Sequence, residues 1–228
     1  MIDKSTTIEE AIAQITDGST IMVGGFGVPG TPFCLIDELV RQGQKRLTLI
    51  KNDANEADMG VDHLLQNGQV ERLIVSHIGL NPNTNELMNK GQLLVEFCAQ
   101  GILAERIRAG GAGLLGLLTD IGVDTLLAKD KQTIEFAGRT CLIETALKAD
   151  AALIHAQCAD SFGNLIYSAS AQNFNPLMAM AADTVIVEAE ELVPLGDIAA
   201  DVIHTPGPFV DSLVPLPELT EAYGVVKR

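Results

Sequence analysis

Short apolar runs alternate with helical patterns through the first half of the chain. The runs at residues 20–23, 47–50, 73–75 and 93–97 are mostly continuous, without regular alternation of apolar and polar residues. Continuous apolar runs of this length are typical of strands that are buried on both faces. Apolar residues at helical spacing lie between them, as in the segment that starts at Pro32. The alternation predicts an α/β fold with a mostly parallel sheet and helices on both faces.

The pattern changes in the second half of the chain. Residues 132–136 and 139–144 flank Ala137-Gly138 and predict a β-hairpin. Further strands are predicted at 151–155, 165–168 and 185–188, and a helix at 176–182. The proline-rich tail at 206–217 is predicted to lie extended over the surface. Because no polar linker divides the halves, we expect residues 1–228 to form a single domain with mixed strands in its second half.

The loop after the first strand is the strongest candidate for a binding site. It contains Gly24, Gly25, Phe26, Gly27, Val28, Pro29 and Gly30, and a helical pattern follows at once. Glycine has no Cβ, so its backbone accepts positive φ and lets a ligand approach closely. Loops of this kind offer N–H groups to an anion or a polarised carbonyl. The loops after the next three strands begin at Lys51, Ser76 and Ala99 and belong to the same rim of a parallel sheet.

Charge and composition narrow the class of partner. The formal net charge is −15, which argues against nucleic acid and against an anionic membrane surface. A single anionic ligand stays compatible, because backbone dipoles bind one inside an acidic protein. The four cysteines and four histidines show no spacing typical of metal ligands, so we assign no metal and expect buried free thiols. No secretory pattern opens the chain, and we expect a cytoplasmic protein.

A dinucleotide site is one alternative for the glycine loop. Gly25-x-Gly27-x-x-Gly30 follows a strand and precedes a helix, and Asp53 lies near the end of the second strand, where a ribose-binding acid would be. In the dinucleotide motif, however, the third glycine belongs to the helix. Here Pro32 suggests that the helix begins after Gly30. An NAD-dependent oxidoreductase is therefore kept only as an alternative.

Several longer strings, in a fixed order along nearly the whole chain, carry a more specific signal. They are Asp17-Gly18, Gly24-Gly25-Phe26 with Gly30 and Pro32, Ser76-His77-Ile78-Gly79, Gln100-Gly101 with Ala104-Glu105-Arg106-Ile107-Arg108-Ala109-Gly110-Gly111-Ala112-Gly113, Gly163-Asn164-Leu165, Ala171 with Asn173-Phe174-Asn175-Pro176, and Thr205-Pro206-Gly207. This set resembles the alpha subunit of family I coenzyme A transferases, of the 3-oxoacid or acetate–acetoacetate type.

The resemblance implies a reaction that moves coenzyme A (CoA) between carboxylic acids. In the family a glutamate attacks the acyl-CoA thioester, and the resulting acyl–glutamyl anhydride is converted by the CoA thiolate into a glutamyl–CoA thioester. That glutamate lies in a Ser-Glu-Asn-Gly string on the beta subunit, and this chain has no Glu-Asn-Gly. The resemblance therefore implies no catalytic nucleophile here, a beta-subunit partner in an α2β2 assembly, and acyl-CoA and short-chain acids as ligands. CoA would be a substrate, with no tightly bound cofactor.

The resemblance also implies residue roles. Positions 24–30 would form the CoA-associated loop, and Asn52 and Gln100 would lie beside the substrate carboxylate and the reacting carbonyl. A loop-capping role remains equally open for both amides. His77 is not needed by this chemistry, and we expect it to make a structural hydrogen bond.

The identity of the substrate acid and the catalytic role itself both stay open at this point. Asp120 and Asp124 replace a proline and a glycine of the family's usual string, so acetoacetate is not carried over as the substrate. A non-catalytic acyl-CoA-binding protein that works without a partner is a further alternative.

Overall fold

The computed structural model describes residues 3–220 and 222–223. The other positions of the predicted 1–228 domain lie outside the described residues. The α-helices are α1 (Ile8–Ile12), α2 (Phe33–Gln42), α3 (Val61–Gln66), α4 (Pro82–Asn89), α5 (Gln100–Gly111) and α6 (Asn175–Ala181). The strands are β1 (Thr20–Val23), β2 (Leu47–Ile50), β3 (Val70–Val75), β4 (Leu94–Phe97), β5 (Gly116–Thr119), β6 (Thr133–Phe136), β7 (Arg139–Thr145), β8 (Ala149–Asp160), β9 (Leu165–Ile166), β10 (Ala182–Val193) and β11 (Ser212–Pro215). Short 3₁₀ helices lie at Leu126–Ala128, Ala169–Gln172, Ala200–Val202 and Gly207–Phe209.

The main sheet is parallel along its whole path, in the order β11-β10-β8-β1-β2-β3-β4. Strand β9 adds to β8 in the antiparallel sense. A separate antiparallel sheet has the order β5-β7-β6. The predicted architecture, a mostly parallel sheet with mixed strands in the second half, is confirmed.

Two apolar cores lie on opposite faces of the main sheet, which explains why its strands are continuous apolar runs. Met22 and Ile50 belong to one core, which also takes residues of α5 and α6. Their neighbours Ile21 and Leu49 belong to the other, which takes residues of α1, α2 and α3. Because side chains alternate across a strand, both sets must be apolar when both faces are covered. Helices on both faces are therefore confirmed.

Helix ends follow local capping chemistry. Thr7 caps α1 by accepting the N–H of Glu10. Gly43 ends α2 at φ +79°. Asn81 caps α4 by accepting the N–H of Thr84.

The tail was predicted wrongly over its central part. Residues 212–215 form β11, which pairs with β10 in the main sheet, and Leu213 and Val214 are buried. Prolines flank this short apolar run, and a strand at the edge of a sheet tolerates proline at its end. Strand β5 was not predicted at all.

The carboxyl ends of the central strands bring the candidate loops to one rim. The glycine loop follows β1, and Lys51 follows β2. Pairing between β2 and β3 continues past the strand ends through a parallel bridge from Asp53 to His77. The N–H of Ser76 donates to the carbonyl of Asn52 at 3.0 Å. None of the helices within the described ranges is long and apolar enough to span a membrane.

Candidate active site at the carboxyl ends of the strands

The glycine loop is tightly enclosed at two of its glycines. A Cβ on Gly24 would lie 1.8 Å from Oδ1 of Asn175, and a Cβ on Gly25 would lie 2.2 Å from Oγ1 of Thr31. Gly25 also has φ +99°, which side-chain-bearing residues rarely adopt. Gly27 has φ +60° but open space around it. Glycine is therefore required for space at positions 24 and 25, and for backbone conformation at 25 and 27.

Side-chain donors hold the carbonyl groups of this loop. Gly27 O accepts from Thr31 Oγ1 (2.6 Å) and Asn55 Nδ2 (2.9 Å), Pro29 O from Asn173 Nδ2 (2.9 Å), and Gly30 O from Asn175 Nδ2 (3.1 Å). The donors come from the loops after β1 and β2, from the segment just before α6 and from the first residue of α6. The loop is thus held largely through its carbonyl oxygens.

Some of the loop's N–H groups are used within the protein. Gly27 N donates to Oδ2 of Asp53 at 2.8 Å, and Phe26 N donates to Pro29 O at 3.1 Å. The N–H groups of Gly25, Val28 and Gly30 have no acceptor among residues 3–220 and 222–223. Gly25 and Gly30 are buried and Val28 is half-buried, so the N–H group of Val28 lies nearest to the surface.

Phe26 lies at the tip of the loop, 46% exposed, between two clefts. The smaller cleft has a volume of about 90 Å³ and includes Val28, Asp53, Asn55, Glu56, Met59, His77 and Leu80 in its lining. The larger has a volume of about 280 Å³, and the residues around it besides Phe26 are Gln100, Gly101, Ala104, Asn173, Phe174 and Leu177. The ring of Phe26 therefore contributes to the lining of both clefts.

The structure brings the two predicted amides together. Asn52 is wholly buried, and its Oδ1 accepts from Nε2 of Gln100 at 2.8 Å and from Oγ of Ser76 at 3.2 Å. Gln100 is the first residue of α5, is exposed, and lines the larger cleft. Of the two amides, Gln100 is therefore the one placed to touch a ligand, with Asn52 behind it.

Sequence reasoning missed a buried ion pair beneath this rim. Lys51 is wholly buried, and its Nζ lies 3.5 Å from Oδ1 of Asp53. Burial lowers the pKa of the Lys51 ammonium. Burial also opposes ionisation of Asp53, but the charge of Lys51 and the N–H of Gly27 outweigh it and lower the pKa of that carboxyl. The signal in the sequence was a charged Lys-Asn-Asp string directly after an apolar strand.

A second buried carboxylate occupies the start of α2. Oε2 of Glu188 accepts the N–H of Leu35 at 3.0 Å, and the hydroxyl of Tyr223 accepts the N–H of Cys34 at 3.1 Å. Glu188 is wholly buried. In a dinucleotide fold this helix start would bind the pyrophosphate. Here its N–H groups are taken and a negative charge already lies there, which disfavours the dinucleotide alternative. Gly30 also precedes α2, as the position of Pro32 suggested.

His155 lies between two carboxylates in the same cluster. Its Nδ1 is 2.8 Å from Oε1 of Glu188, and its Nε2 is 3.1 Å from Oε1 of Glu190. Burial opposes the charge on the ring, but the hydrogen bonds to Glu188 and Glu190 outweigh it and raise the pKa of His155 to about 9. The ring is therefore protonated at neutral pH and neutralises part of this buried negative charge.

We expect the stability to depend on pH through His155. A histidine with a raised native-state pKa stabilises fully below its unfolded value of 6.5 and loses that contribution as the pH rises to about 9. Each unit of pKa shift corresponds to about 1.4 kcal/mol, so the loss is on the order of 3 kcal/mol. Urea unfolding at pH 6, 8 and 10 tests this against His155→Gln. The stability difference between wild type and variant should shrink with rising pH, and a constant difference would contradict the expectation.

The other residues singled out from the sequence make contacts within the protein. His77 Nδ1 lies 2.9 Å from Oγ of Ser76, the hydrogen bond expected of it, and the ring also lines the smaller cleft. Asp120 forms an ion pair with Arg139 at 2.7 Å beside the small sheet and lines neither cleft. All four cysteines are free thiols, but only Cys98 and Cys141 are buried as predicted, and Cys34 and Cys158 are half-buried. Among the residues that the structure describes, no cluster of three potential ligands could hold a metal ion.

Comparison with known proteins agrees with the fold. The sequence pattern of the coenzyme A transferase family matches residues 5–215. The chain is 50% identical over 212 residues to a probable coenzyme A transferase subunit alpha of Bacillus subtilis strain 168, covering 92% of this chain and 93% of that one. It is 47% identical over 214 residues to the acetate CoA-transferase subunit alpha of Escherichia coli K12, covering 94% and 97%.

A solved structure agrees at the level of the fold. The crystal structure of an acyl-CoA transferase from E. coli O157:H7, in a thioester complex with CoA, superposes with a TM-score of 0.86 at 22% identity. The match covers 96% of this chain and 48% of that one, so this chain spans about half its length. The chain belongs to the coenzyme A transferase family, with the alpha subunits of that family as its relatives.

Proposed function

We propose that this chain is the alpha subunit of a short-chain acyl-CoA:carboxylate CoA-transferase and works with a beta subunit that supplies the glutamate nucleophile. The observation that carries the proposal is the shared rim, where a glycine loop with unpaired N–H groups lies beside the Asn52–Gln100 pair. The identity to alpha subunits over nearly the full chain supports it. The alternatives, an NAD-dependent oxidoreductase and a non-catalytic acyl-CoA-binding protein, have no comparable support.

The proposed chemistry needs neutral hydrogen-bond donors more than it needs charged side chains. Positions 24–30 would bind CoA through backbone N–H groups, and Gln100, backed by Asn52, would hold the substrate carboxylate or the reacting carbonyl. Such donors stabilise the oxyanion that develops when the thioester is attacked. Neutral donors suit an acid that must stay ionised, because they hold it without giving it a proton. A closed, dry site would protect the anhydride from water.

The residues that line the larger cleft support the proposed substrate class. Apolar groups of Ala104, Phe174 and Leu177 line it beside the amide of Gln100. This lining suits a short aliphatic acyl chain with a polar head, such as the acetate named for the E. coli relative. We propose that CoA is a substrate and that no cofactor is tightly bound.

The assembly and setting are proposed with the function. We propose an α2β2 oligomer in the cytoplasm, with residues 1–228 acting as one domain. The single-domain proposal is supported by the contact of the small sheet with the main body, where Nε of Arg106 donates to the carbonyl of Thr145 at 2.8 Å.

Reconstitution tests the function. Purified chain is mixed with a candidate beta subunit, and CoA transfer from acetoacetyl-CoA or butyryl-CoA to acetate is followed, with each subunit alone as control. We expect transfer only in the mixture, because the site is divided between two chains. Transfer by this chain alone would contradict the divided site. A stable complex that binds acyl-CoA but transfers it to no acid would favour the binding-protein alternative, and a fluorescence change on NADH titration would favour the oxidoreductase.

A further inference from the structure

The proposed function makes no use of the buried charges of Lys51 and Asp53, which lie directly behind Asn52. Nζ of Lys51 is wholly buried and has no hydrogen-bond partner among the described residues. Its nearest opposite charge is Asp53, at 3.5 Å. Removing two charges from water is costly, and an apolar pair in their place is often at least as stable. A reason for this pair therefore has to be found outside stability.

The carboxylate of Asp53 fixes the orientation of the Asn52 amide. Its Oδ2 accepts from Gly27 N at 2.8 Å and from Asn52 Nδ2 at 2.9 Å, and its Oδ1 accepts from Asn55 N at 2.9 Å. An ionised carboxylate can only accept hydrogen bonds. Asn52 must therefore turn its NH₂ group towards Asp53 and its oxygen away from it.

The Asn52 oxygen in turn fixes the Gln100 amide. Oδ1 of Asn52 can only accept, and it accepts from Nε2 of Gln100 at 2.8 Å. Gln100 must therefore present its NH₂ group on this side, and one bond uses only one of the two hydrogens. The second hydrogen stays available at the cleft that Gln100 lines with Phe26 and Asn173.

We propose that Asp53 is a positioning residue that, through Asn52, sets the Gln100 amide as a hydrogen-bond donor towards the substrate, with Lys51 as the counter-charge that keeps Asp53 ionised. The inference rests on the proposed function, since the substrate carboxylate or thioester oxygen is what needs a donor. The same carboxylate holds Gly27 N–H, so one ionised group organises both the glycine loop and the amide pair. The lowered pKa of Asp53 agrees with an ionised carboxylate at neutral pH.

Substitution of Asp53 by asparagine tests the acceptor-only requirement. An amide at this position can donate as well as accept, so Asn52 and Gln100 can reverse together and present the Gln100 oxygen to the substrate. In the reconstituted enzyme we expect Asp53→Asn to lower kcat about 100-fold, with a smaller change in KM for acyl-CoA. Asp58→Asn is the matched control, because exposed Asp58 lies in the same loop and has the same charge removed. Its kcat should stay within about twofold of wild type.

A double variant separates positioning from stability. Asp53→Asn alone leaves Lys51 as a buried, uncompensated charge, and it is expected to destabilise the chain. Lys51→Met together with Asp53→Asn removes both charges and should recover thermal stability. We expect kcat to remain low in this double variant, because the acceptor-only group is still missing. Recovery of kcat together with stability would overturn the proposal and give the pair a structural role.

A measurement on the free chain distinguishes failure of this inference from failure of the proposed function. In ¹⁵N NMR spectra, the side-chain NH₂ signals of Gln100, assigned with Gln100→Ala, should show slowed exchange for the hydrogen bonded to Asn52. The protection should disappear in Asp53→Asn and persist in Asp58→Asn. Unchanged Gln100 signals in Asp53→Asn would overturn the positioning role even in an active enzyme. Lost protection with an inactive wild type would overturn only the proposed transferase function.

Discussion

Substitution of Gly25 by alanine is expected to abolish CoA transfer while the chain still folds. The new Cβ would lie 2.2 Å from Oγ1 of Thr31 and 2.6 Å from its backbone N, closer than real contacts allow. The residue would also have to hold φ +99°. The loop must shift to relieve this, which moves its N–H groups away from the ligand. We expect kcat/KM in the reconstituted enzyme to fall by about 100-fold or more, the size of a lost oxyanion donor.

Gly43→Ala provides the matched control for this prediction. Gly43 also has a positive φ, +79°, but a Cβ there would meet open space at the end of α2. Gly43→Ala should cost about 1 kcal/mol of stability through backbone strain and leave activity unchanged. Gly27→Ala should fall between the two, because it adds strain in the loop without a clash. Equal activity of the Gly25 and Gly43 variants would remove the loop from the mechanism.

Substitution of Gln100 by alanine is the second large expected effect. The side chain is exposed at the first residue of α5 and does not cap the helix, so stability should change little. Loss of a positioned donor is expected to lower kcat about 100-fold. Gln100→Glu should be at least as severe, because a carboxylate would face both Oδ1 of Asn52 and an anionic substrate.

Gln92→Ala is the control for the Gln100 variants. Gln92 is an exposed glutamine after α4, outside both clefts that flank Phe26. Steady-state kinetics with separate kcat and KM, together with thermal melts, give the comparison. If Gln100→Ala matches Gln92→Ala in kcat, the amide of Gln100 has no part in the reaction.

The parallel sheet was predictable because of how its strands are buried. Met22 and Ile21 enter opposite cores, so the sequence must be apolar at consecutive positions, and this is visible without a structure. Strand β5 lacks that signal, since it is a partly exposed strand of the small sheet. The prediction for the tail failed for a different reason: its prolines flank Ser212-Leu213-Val214, and Pro215 is the last residue of β11, so the apolar run is not interrupted.

The candidate site could be predicted only where its residues are neighbours in the sequence. A run of glycines after a strand indicates a binding loop wherever the rest of the chain lies. The contact between Glu188 and the N–H of Leu35 joins residues far apart in the chain, and nothing local to either indicates it. The role of Asp53 is ambiguous in the sequence, because its position after the second strand also fits a ribose-binding acid. Only its hydrogen bonds to Gly27 and Asn52 show that it faces inwards to the loop.

In the proposed reaction this chain binds CoA while the nucleophile lies on its partner. The most direct measurement is the intact mass of both subunits after the reconstituted enzyme is incubated with acyl-CoA and no acceptor acid. We expect the beta subunit to gain the mass of CoA less one water, because one carboxylate oxygen leaves with the acyl group when the glutamyl thioester forms. This chain should keep its mass. A CoA adduct on this chain, for example on Glu56 at the edge of the smaller cleft, would contradict it.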